Sequence, residues 1–73
     1  METLDLHGIR HSKVDEKTRR FLNFADLPCQ IITGNSFEMR QIVRKVVTEY
    51  GWCCYEKDSY NYGTLVIMEK SYD

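Results

Sequence analysis

Seventy-three residues leave room for one domain and one hydrophobic core, so a second domain is excluded and every element must contribute a face to that core. With 42% apolar and 29% charged residues the chain is too hydrophobic for a disordered tail and has the composition of an ordinary globular domain. A net charge of −1 excludes a uniformly basic protein, yet the charge is unevenly placed: eight Lys/Arg face four Asp/Glu between Arg10 and Thr48, while both ends of the chain are acidic. Taken in chain order, Thr3 to His7 alternates, with Leu4 and Leu6 on one face and Thr3, Asp5 and His7 on the other, and Gly8 ends this first strand. Ser12 is the expected N-cap of a helix over about 13 to 25, with Asp15 and Glu16 in its first turn. Its apolar stripe is Val14, Thr18, Phe21, Leu22 and Ala25. Asp26-Leu27-Pro28 terminates it, and the run Cys29-Gln30-Ile31-Ile32-Thr33, bounded by Pro28 and Gly34, predicts the second strand.

Asn35, with Glu38 three residues on, reads as the N-cap and capping-box partner of a second helix. Its stripe of Met39, Ile42, Val43, Val46, Val47 and Tyr50 is the clearest helical pattern in the chain, and Gly51 is a natural stop. Two strands follow, about Trp52 to Lys57 and about Gly63 to Glu69, with Asp58-Ser59-Tyr60-Asn61-Tyr62 as the hairpin loop. The order βαβαββ predicts a two-layer α/β sandwich, two helices on a four-stranded mixed sheet. Its first two strands are parallel, because a strand, helix, strand unit crosses over right-handed. Asp5-Leu6-His7-Gly8 and Thr33-Gly34-Asn35-Ser36 then open onto one sheet edge, where open α/β sheets bind ligands.

The remaining sequence signals bear on compartment. No apolar run approaches the roughly 20 residues that cross a bilayer, and the acidic Met1-Glu2-Thr3-Leu4-Asp5 does not read as a leader. A cytoplasmic monomer with no membrane partner is expected. Cys29, Cys53 and Cys54 are an odd set without Cys-x-x-Cys spacing, which suits neither a disulfide framework nor a zinc site, and they are expected as buried small hydrophobes.

Two features carry chemistry. Asp5 and His7, two apart on a strand, share a face. An Asp–His pair can serve general acid–base work, His7 taking a proton from water or a ribose 2′-hydroxyl while Asp5 fixes its tautomer. Asp5 alternatively helps hold a divalent cation such as Mg2+. Gly34 at a strand-to-helix turn lets the backbone approach a ligand, and the free N–H groups that open the second helix form an anion site. Gly8, Arg10, Thr33, Gly34, Asn35, Ser36, Arg40 and Arg44 are the candidate phosphate contacts, Arg40 foremost because it lies nearest that turn. Arg19 and Arg20 have i, i+4 partners in Asp15 and Glu16 and read as a solvated face. Tyr60 and Tyr62 are candidates for stacking on unpaired bases.

Together these residues resemble the small MutS-related (Smr) family over almost the whole chain, from Leu4 to Met68. Leu4 to Gly8 matches its Leu-Asp-x-His-Gly strand end, Ile31-Ile32-Thr33-Gly34 its second motif, Met39-Arg40 its helix opening and Gly63-Thr64-Leu65-Val66 its last strand. The resemblance implies a minimal stand-alone member, with an α/β sandwich related to the C-terminal domain of the third bacterial translation initiation factor. It further implies endonuclease or nicking activity on RNA or DNA, linked to ribosomes in some members. Asp5 and His7 match the family's catalytic positions, whereas Ser36 stands where the family has a second glycine. The alternative expectation is a catalytically weak or inactive module of the same fold that binds RNA, a ribosome or a nucleic-acid-processing protein.

Overall fold

A computed structural model describes residues 1–58 and 61–70. Its elements are β1 (Thr3–Asp5), α1 (His11–Phe24), β2 (Cys29–Ile32), α2 (Phe37–Glu49), β3 (Trp52–Asp58) and β4 (Asn61–Glu69). The sheet order is β1-β2-β4-β3, with β1 and β2 parallel and β4 antiparallel to both of its neighbours. The expected βαβαββ sandwich is therefore the observed fold.

The two helices pack on each other and on one face of the sheet. Val14, Thr18 and Leu22 of α1 and Met39, Val43, Val46 and Val47 of α2 are buried as the helical stripes require, against Ile31, Leu65 and Ile67. The near-continuous apolar run of β4 has a positional cause. β4 lies inside the sheet between β2 and β3, so Val66, pointing away from the helices, is buried as well as Leu65 and Ile67. No helix among the described residues is long and apolar enough to cross a membrane.

Three local expectations need correction. Helix α1 starts at His11, so Ser12 lies within its first turn. The cap is Arg10, which makes no side-chain cap hydrogen bond, and no acidic residue falls in that turn. The β3–β4 ladder runs further than expected, pairing Asp58 with Asn61 past an irregularity between Glu56 and Asp58, so Asp58, Asn61 and Tyr62 belong to strands. The base-stacking expectation for Tyr60 and the Tyr62 side chain lies outside the described residues. Of the cysteines, Cys29 is buried and Cys54 half-buried, but Cys53 is exposed, because adjacent strand residues face opposite ways and only Cys54 faces the helices.

Candidate functional site

The first motif is a strand end that becomes a turn. Leu6, fully buried, donates its N–H to the Ile32 carbonyl at 2.8 Å, extending the ladder one residue past β1, and the Ile9 N–H donates back to the Leu6 carbonyl at 3.0 Å. His7 and Gly8 are the central pair of that turn, and Gly8 adopts φ 78°, a conformation that other residues resist. Because β1 stops at Asp5, His7 is not its strand-face neighbour. Asp5 Oδ1 instead accepts the His7 backbone N–H at 2.9 Å. The carboxylate thus shapes the turn that presents the exposed imidazole, and it does not hold the ring.

The second motif meets it at the same edge. Gly34 leaves β2 at φ 64°, and both the Thr33 and the Gly34 N–H donate to the Gly63 carbonyl, at 2.7 and 3.2 Å. Gly63 packs so closely here that a Cβ on it would stand 3.2 Å from the Gly34 Cα. Helix α2 opens one residue later than expected. Ser36, not Asn35, is its N-cap, its hydroxyl accepting the Met39 N–H at 3.1 Å. Asn and Ser cap about equally well, so the choice falls to the tertiary contact that only Ser36 makes.

That contact is His11. The first residue of α1 sets its ring across the start of α2, with Nδ1 3.0 Å from Glu38 Oε2 and Nε2 3.2 Å from Ser36 Oγ. With Nδ1 donating to the carboxylate, the ring is fixed in plane and Nε2 is directed at the head of α2. The imidazole remains 44% accessible. Phe37, the first residue of α2, is 66% exposed and puts an apolar side chain at the anion-favouring helix start. Neither the His11 bridge nor the exposure of Phe37 is a local sequence signal. His11 and Glu38 lie 27 positions apart, and only the parallel crossover brings them together.

The arginines divide differently. Arg10 is exposed next to the first motif. Arg40 donates from Nη1 to Glu56 Oε1 at 3.1 Å and Arg44 from Nη1 to Cys54 Sγ at 3.8 Å, so both lean over β3, the strand at the sheet edge opposite β1. A phosphate at the α2 start would have to draw Arg40 away from Glu56. Arg19 and Arg20 make the expected i, i+4 pairs with Asp15 and Glu16, and Arg19 also pairs with Glu49. The Arg19 hydrogen bond is the main reason that the Asp15 carboxyl lies below its usual value.

As for a divalent cation, the Asp5 carboxylate is engaged by a backbone amide. No group of three or more His, Cys, Asp or Glu side chains that could hold a metal ion gathers among the described residues. This donor set does not fit a resident Mg2+. Two surface concavities of about 280 Å3 lie away from the site, one lined by Leu27, Pro28, Met68 and Glu69 and the other by Leu4, Lys17, Arg20 and Phe21. His7, His11 and Phe37 are exposed and Ser36 is half-buried. The fold defines the class as a small two-layer α/β domain, with the His11 imidazole set against the start of α2. Comparison with protein-family models, curated proteins and solved structures returned no match.

Proposed function

We propose that this chain is a nucleic-acid endonuclease of the Smr type, cleaving RNA or nicking DNA by general acid–base chemistry. The observation that supports it is the meeting of two motifs at one edge: the Asp5-shaped turn that presents His7, and the Gly34–Ser36 turn that opens α2. A backbone phosphate bound at the α2 start would lie beside the His7 turn, with Phe37 available to stack an unpaired base. His7 then takes the proton of the attacking hydroxyl, and Asp5 acts as a positioning residue through the His7 amide. Labelled single-stranded RNA and supercoiled plasmid, incubated with wild type, Asp5→Ala and His7→Ala, test this reading. His7→Ala is expected to lose about 10²–10⁴-fold in rate. Cleavage by wild type no greater than by the variants removes the enzyme reading.

A second reading is an inactive module that binds RNA, a ribosome or a nucleic-acid-processing protein. What favours it is that the Gly34 amide is already satisfied by Gly63 and Arg40 is engaged by Glu56. RNA binding that weakens with salt, by a slope of about 0.7 per phosphate contacted, without strand cleavage, would support it.

A further inference from the structure

We propose that the outer edge of β1, with the cleft between it and α1, takes an extended peptide segment as a fifth strand, and that this segment carries one apolar and one acidic side chain on its face toward α1. The endonuclease reading gives Leu4, Lys17, Arg20 and Phe21 no part, so the two stand independently. Glu2 accepts the Gln30 N–H at 2.9 Å and Leu6 donates to the Ile32 carbonyl at 2.8 Å, with Leu4 between them opposite Ile31. A parallel strand bonds a given neighbour through every second residue. Thr3 and Asp5 therefore turn their N–H and C=O groups to the outer side, where no strand among the described residues pairs with them. Such a row of backbone donors and acceptors is a template for another peptide chain, whereas a nucleic-acid strand has no alternating amides and carbonyls to match it. The opposite edge is less open: the β3 pairing is irregular between Glu56 and Asp58, and Arg40 and Arg44 lean over it.

The side chains beside the β1 edge decide the chemistry of the partner. Leu4 is half-buried on the helix-facing side of β1, and a concavity of about 280 Å3 lies between it and Lys17, Arg20 and Phe21 of α1. Phe24, 85% exposed, follows Phe21 by three positions and Arg20 by four, so it adds apolar surface on the same side of the helix. Lys17 makes no ion pair among the described residues and has the like charge of Lys13 four positions before it, and Arg20 remains 75% accessible while paired with Glu16. A carboxylate arriving here meets two cations. On the other face of the sheet the same edge presents Thr3 and Asp5, where a second acid would be repelled. Because side chains alternate along a strand, the apolar residue and the acid of the partner are two positions apart, with an uncharged residue between them.

The test titrates the isotope-labelled protein with a capped pentapeptide of threonines carrying isoleucine at its second position and glutamate at its fourth, and with a second peptide in which those two are exchanged. One of the two orders is expected to give saturable shifts at the Thr3 and Asp5 amides together with those of Lys17, Arg20 and Phe21. Methylating the peptide amides that face β1 should weaken binding about tenfold or more, and methylating those that face solvent should cost much less. Lys17→Glu combined with Arg20→Glu, both exposed positions, should weaken the glutamate peptide about tenfold at low salt and make a lysine version the better ligand. No shift with either order at millimolar peptide overturns the proposal. Shifts confined to Lys17 and Arg20, and reproduced by single-stranded RNA, would make this surface a phosphate contact and overturn it also. Shifts of Thr3 and Asp5 on raising the protein concentration alone would assign the edge to a second copy of the chain in place of a peptide partner.

Discussion

Gly63→Ala isolates the contact on which the candidate site is built. The new methyl would stand 3.2 Å from Gly34 Cα and 3.4 Å from Gly34 C and O, all backbone atoms that cannot rotate away. Relief requires β4 and the Gly34 turn to part by a few tenths of an ångström, and the Gly63 carbonyl is also the acceptor for the Thr33 and Gly34 amides, so two hydrogen bonds lengthen at once. Overpacking of this kind costs about 1–3 kcal/mol. Restricting the unfolded chain by a Gly to Ala change returns about 0.4–1 kcal/mol, which from the middle of both ranges leaves a net loss of about 1.3 kcal/mol. At about 2.1 cal/mol/K of unfolding entropy per residue, ~1 kcal/mol moves the midpoint of a chain of this length by about 6–7 °C. Calorimetry should therefore show Tm lowered by about 8 °C, and the amide resonances of Thr33 and Gly34 should shift in an NMR spectrum. A Tm within about 2 °C of wild type, with those resonances unmoved, would refute the close approach.

Thr18 is fully buried and its hydroxyl has no hydrogen-bond partner among the described residues, so Thr18→Val, which keeps the shape and removes the stranded oxygen, should raise stability by about 1 kcal/mol in urea unfolding. The Arg19 hydrogen bond holds the Asp15 carboxyl below its ordinary value of 3.8. A carboxyl lowered on folding adds stability that is present above its unfolded value and is lost as pH falls through the folded one. Wild type should accordingly exceed Arg19→Gln in urea midpoint at pH 7, and the gap should close below about pH 4. Burial pushes the Cys29 and Cys54 thiols up, whereas Cys53 is exposed. A disulfide reagent at neutral pH should modify one thiol quickly, lost in Cys53→Ser, and the other two only slowly until the chain unfolds.

The sequence alone was enough for whatever depends on periodicity and on chain connectivity. The stripes of Val14, Thr18 and Leu22 and of Met39, Val43, Val46 and Val47 predict two helices with one buried face each, because side-chain direction repeats with backbone geometry. The crossover rule then forces β1 and β2 parallel, which puts Asp5-Leu6-His7-Gly8 and Thr33-Gly34-Asn35-Ser36 at one edge. Only the tertiary structure decided how that edge is wired. Ser12 and Asn35 are chemically sound caps, yet α1 begins at His11 and α2 is capped by Ser36, with His11 reaching Ser36 and Glu38 from the other helix. Arg40, nearest the turn in sequence, points over β3 because its position on the helix faces Glu56. Asp5 closes a turn on the His7 amide because β1 stops at that residue. Spacing along one element is a local quantity and can be read from a string of residues. Which side chain from another element fills a given hydrogen bond depends on three-dimensional placement, and at this edge that placement joins His11 to the α2 start.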